Sequence, residues 1–239
     1  MNLGLAFRSA VTTAAGRPGM CSQHLTGSHL AWAAAHVLGA QGAGISLSGG
    51  GVLRLPWGAS DDDAEAAERL QFTAGEGPCM AAYAGQDTVM ASQAVLDRTW
   101  PGFADGLFHR TPFRSVWAAP LQQLGTMDVY FTDPTGSTRI DGADAQEVAN
   151  RIVAEMIDDP VLTATSWTSL WDVPSVGRRT QVSMAIGQLV AALPINPTNA
   201  LAILRAHAFA GGRTVDDAAG DVLTGVLDPE ELGGQPTQS

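Results

Sequence analysis

The chain has no lysine: all 13 of its basic residues are arginine. Together with abundant Ala and Gly, this bias reads as a GC-rich coding background, so arginine use by itself says little about phosphate binding. It also excludes a phosphate-cradling glycine loop that ends in lysine. Only two cysteines occur, Cys21 and Cys79. They are too few for a disulfide framework and lack the spacing of zinc ligands, which fits a reducing cytoplasm. Long apolar runs are missing as well. The uncharged stretch 18–53 is interrupted by Gln, Ser, Gly and the histidines His24, His29 and His36, so neither a secretion signal nor a membrane span is expected. Those histidines are five and seven residues apart, not the i, i+4 pair that puts two ligands on one metal, so no metal site is predicted.

The most informative absence is of acid. Between Val173 and Val215 there is no Asp or Glu, although the whole chain has a formal net charge of −11, and Arg178, Arg179, Arg205 and Arg213 all fall there. A polyanion would be repelled least at this segment, so nucleic acid is the first partner to consider.

At 239 residues the chain has room for two modest domains. Helical spacing of apolar residues predicts a helix over 22–41. Two short alternating segments around Gly49, Gly50 and Gly51 predict a hairpin, 44–48 with 52–57. Asp61, Asp62 and Asp63 open a second helix to about Leu70, at the end where carboxylates oppose the helix dipole. A glycine-rich turn follows, then a short helix from Pro78 to Tyr83, a strand over 88–91, and a mobile segment from the Trp100-Pro101 corner to Arg110. Strands over 115–121 and 126–132 and a helix over 141–157 complete an α+β domain with about five antiparallel strands. Residues 161–177, with Trp167 and Trp171, read as a linker or connecting helix. Three helices follow, at 175–193, 198–210 and 215–227; Asn196-Pro197 and Thr214 start the second and third, and Gly211-Gly212 ends the second. The tail 229–239 is expected to be disordered.

The residues Gly42-Ala43-Gly44-Ile45-Ser46, the run Glu68 to Cys79 (ERLQFTAGEGPC), Trp100-Pro101 and Pro120-Leu121 resemble GAF sensor domains of actinobacterial regulators. In the second half, Arg179, Ala185-Ile186-Gly187, Ala200-Leu201, Leu204-Arg205, Arg213 and Asp217-Ala218-Ala219 resemble the ANTAR module. The resemblance implies a GAF-like antiparallel sheet flanked by helices over 1–160 and an all-α, three-helix RNA-binding domain over 178–228. It implies a homodimeric transcription antiterminator, without catalysis, whose paired modules hold tandem RNA hairpins under control of the sensor domain. A basic residue often stands between that Ala and Gly; here the position is Ile186.

On this reading Arg178, Arg179, Arg205 and Arg213 contact phosphates or stack on loop bases, and His207 is a further stacking candidate. Solvated surface arginines are the simpler alternative. Ala185 and Gly187 are read as points of close helix approach. Glu76 either lines a small-molecule pocket or stabilises a turn. Cys79, near a helix N-terminus, is placed where a thiol pKa is lowered. A thiol-dependent reductase would act through it, whereas a buried structural cysteine is the simpler account. A ligand-sensing or partner-binding dimer without RNA binding is the main rival function. No cofactor is predicted, and the sequence does not name a sensor ligand.

Overall fold

A computed structural model describes residues 3–17, 26–48, 54–158 and 174–233. Cys21, His24, Trp167, Trp171 and the hairpin tip 49–53 lie outside the described residues, as do most of the linker and the end of the tail.

Five strands form one antiparallel sheet in the order β2-β1-β5-β4-β3. These are β1 (Gly42–Ser48), β2 (Arg54–Ala59), β3 (Val89–Ala91), β4 (Ser115–Pro120) and β5 (Gly125–Phe131). Period-2 alternation sends Ala43, Ile45 and Leu47 of β1, Trp117 and Ala119 of β4, and Met127, Val129 and Phe131 of β5 to one face. There they bury Phe7 of α1 (Leu3–Ala15), Leu30 of α2 (Thr26–Val37), and Val148 and Ile152 of α7 (Gly142–Asp158). Each large apolar side chain so buried contributes about 1.5–3 kcal/mol.

The opposite face is covered by α3 (Asp62–Ala74), α4 (Pro78–Gly85), α5 (Gln93–Thr99) and α6 (Pro101–Arg110). Its apolar part joins Leu70, Leu96, Phe103 and Leu107 to Phe113, Val116 and Tyr130. The segment read as mobile is therefore ordered. Gly102 and Gly106 look like breakers in sequence, yet Pro101 starts α6 and Gly106 lets it approach Leu70. Helix α1 was not anticipated either.

The acid-free segment folds as α8 (Pro174–Ala192), α9 (Pro197–Ala210) and α10 (Val215–Thr224) around a core that includes Val182, Ala185, Leu189, Leu201, Leu204 and Val222. The boundary residues act as the sequence implies. Asn196 accepts from the Asn199 amide, and Thr214 forms a capping box with Asp217. A short helix, α11 (Pro229–Leu232), starts at Asp228, so the first residues of the predicted disordered tail are helical. The close-approach reading holds at Ala185, which is buried, and fails at Gly187, which is exposed and where a Cβ would meet nothing. Ile186 packs into this three-helix core.

Among the described residues no single helix is long and apolar enough to cross a membrane; α8 and α9 meet that measure only as a pair bent by 111°.

Candidate functional site

Three of the predicted arginines converge on α3. The Asp61 side chain caps this helix, which continues four residues past its expected end before Gly75, at φ 71°, closes it. That extra turn carries Gln71, Phe72 and Thr73. The Arg179 guanidinium lies 3.3 Å from the Phe72 ring centroid and is only 2 % exposed. Arg205 of α9 donates from Nε to the Phe72 carbonyl at 2.9 Å and also lies over that ring, at 5.0 Å. Arg178 ion-pairs with Glu65, two turns back along α3. Arg213 is apart from this group, half-exposed and paired with Asp221, and His207 is exposed two residues beyond Arg205, on another side of α9.

Ion pairs and hydrogen bonds complete the joint. Asp216 lies 3.7 Å from Arg179 and 3.5 Å from Arg69 Nε, while Arg69 Nη2 donates to Thr214 Oγ1 at 2.8 Å and contacts Asp217 at 3.1 Å. The Val215 amide donates to Thr73 Oγ1 at 3.1 Å. Burial, partly opposed by the attraction of Asp216, holds the Arg179 pKa down to about 10, so the guanidinium remains charged at neutral pH.

Beside the joint lies a polar cluster on the α3-facing side of the sheet. Alternation places Ser46 of β1 with Thr126, Asp128 and Tyr130 of β5 on this face. Tyr130 donates to Glu68 Oε1 at 2.7 Å; Gln71 Nε2 donates to Asp128 Oδ2 at 2.8 Å and its Oε1 accepts from the Cys79 amide at 3.0 Å. Gly44 makes the cluster possible, because a Cβ there would overlap the Glu68 carboxylate. Burial pushes Asp128 well above the usual carboxylate range, and the Glu68 charge adds to the shift. Burial also raises Glu68, against hydrogen bonds from Tyr130 and Asp128. Asp128 Oδ1 has no hydrogen-bond partner among the described residues.

Glu68, Gln71, Cys79, Arg54 and Arg179 line a cleft of about 10 Å³ that holds roughly one water molecule. Arg179 therefore belongs both to the joint and to the wall of the polar cluster. A wider groove of about 280 Å³ lies between α6 and the α9–α10 corner, bordered by Arg110, Phe209 and Arg213.

The remaining candidates have structural roles. Glu76 accepts from the Gly102 and Phe103 amides and so caps the start of α6, the turn-stabilising alternative. Cys79 is buried, and the expected low thiol pKa is reversed: burial, followed by the nearby Asp128, pushes it well up. Desolvation outweighs the helix end.

Sequence reasoning missed the polar cluster. Its signal was the alternation Thr126, Asp128, Tyr130, which ordinarily marks a solvent-facing side; here α3 and α4 cover it.

Gly75 links the cap to the joint, because its left-handed φ disfavours a side chain and a Cβ would lie 3.0 Å from the Arg205 guanidinium. Gly75→Ala should cost about 1–2 kcal/mol, measured by urea unfolding. No family model, curated protein or solved structure matches this chain.

Proposed function

We propose that the protein is a cytoplasmic, homodimeric RNA-binding regulator of transcription antitermination. Its three-helix unit α8–α10 takes tandem hairpins, and its sheet domain, with a GAF-like sensing role, governs access to that unit. The observation that carries this reading is the convergence of Arg178, Arg179 and Arg205 on one side of an acid-free pair of helices in an otherwise acidic chain. Guanidinium groups arranged in this way suit phosphates and the faces of unpaired bases, which are the parts of an RNA loop that proteins read.

Binding of the full chain to a paired-hairpin RNA should fall with salt, with a log–log slope of about −3 per module if all four arginines meet phosphate. Arg205→Ala should reduce affinity about tenfold, read by filter binding or fluorescence anisotropy. Affinity no better than for a scrambled RNA of equal length would remove the reading.

A second reading is favoured by the partners already present. Arg178 and Arg213 pair with carboxylates, Arg179 is buried, and Ile186 is in the core. In that case the protein is a ligand-sensing or partner-binding dimer without RNA, with the helical unit as its dimerisation element. A chain ending at Asp158 is then monomeric by light scattering, whereas a dimer built by the sheet domain survives the truncation.

A further inference from the structure

The contacts that α3 makes with α8 and α9 are those a nucleotide would make. Phe72 offers a flat π-face with two guanidiniums over it, its carbonyl accepts a hydrogen bond from Arg205, and Glu65 offers Arg178 a carboxylate. A base likewise presents a π-face and ring acceptors, and its backbone presents an anion. Arginine recognises both combinations by stacking and charge-assisted hydrogen bonding.

We infer that α3 occupies, as an internal stand-in, the site where Arg178, Arg179 and Arg205 hold one unpaired RNA base and an adjoining phosphate, so that RNA and α3 compete for the same face. This rests on the RNA-binding reading proposed above. Two further observations support competition rather than coexistence. Arg179 is nearly inaccessible while Phe72 is in place, and Phe72, although part of α3, packs into the core of the three-helix unit. RNA cannot reach Arg179 without moving Phe72. In this joint the sheet domain controls the RNA site by occupying it.

The test is binding of a paired-hairpin RNA, carrying 2-aminopurine at one loop position, to the full chain and to its Phe72→Leu variant. Leucine keeps an apolar side chain in the core but lacks the stacking face, so the variant should bind about tenfold more tightly. The 2-aminopurine emission should change on binding to both proteins, and RNA should accelerate hydrogen exchange at the Val215 amide, whose acceptor is Thr73 of α3. Equal affinity for the two proteins, both well above scrambled RNA, would overturn the competition while leaving RNA binding intact. No preference for the hairpins in either protein would remove the RNA reading, and this inference with it. If circular dichroism shows that Phe72→Leu does not fold, the partly exposed Glu65→Gln decides: a gain of a few fold supports competition and no gain overturns it.

Discussion

Arg179→Ala should lower the stability of the chain by about 3 kcal/mol, the lower end of the cost of breaking a buried ion pair. The substitution removes a guanidinium that is 2 % exposed and leaves Asp216, whose side chain is 4 % exposed, with one of its two cationic partners, Arg69 at 3.5 Å. It also deletes the flat group stacked on Phe72. Lysine should not rescue the loss, because an ammonium has no planar face and fewer donors. Urea unfolding measures the effect directly. A loss below about 1 kcal/mol, the range of exposed pairs, would show that Arg179 does not hold the joint. For the same reason Arg205 is the better residue for binding experiments.

Asp128→Asn should stabilise the protein, and more so at alkaline pH. Burial and the Glu68 charge raise the Asp128 pKa in the folded state, so the folded chain keeps a proton that the unfolded chain releases above its ordinary carboxylate pKa of about 4. Where the unfolded state binds fewer protons, stability falls as pH rises. The stability associated with protonated Asp128 is therefore complete below the unfolded pKa and is lost as pH rises through the folded one. An amide cannot ionise and still accepts from Gln71, so it removes this decline while keeping that hydrogen bond. Thermal unfolding of both proteins from pH 5 to pH 8 checks the prediction. Each 1 kcal/mol gained raises Tm by about 2–4 °C for a chain of this size. A larger gain at pH 5 than at pH 8 would mean that Asp128 is ionised in the fold.

Local chemistry made much of this architecture readable. Asp61, Asn196 and Thr214 are short acceptors placed where helix amides need partners, and each caps the helix it precedes. The alternation in β1, β4 and β5 gave the strands, since one face of each meets the apolar core. Reading failed where tertiary contacts override local signals. The run Gln71-Phe72-Thr73 precedes a Gly-Glu-Gly-Pro turn and looked like its beginning, but packing against α9 and α10 extends α3 through it. The site was only partly visible for the same reason. Four arginines without neighbouring acids stand out in a sequence, whereas the carboxylates that meet them, Glu65 and Asp216, lie outside the acid-free stretch. Sequence distance hid the pairing.

Phe72 also bears on how the chain comes apart. It sits on a helix of the sheet domain but belongs to the core of α8–α10, and the capping box of α10 is itself held by Arg69 of the same helix. The division into two domains that the sequence presents is therefore not a division in cooperativity. While the joint is closed, melting of the sheet domain strips α8–α10 of a core side chain and of the arginine that holds a helix cap, so the helical unit loses stability with it.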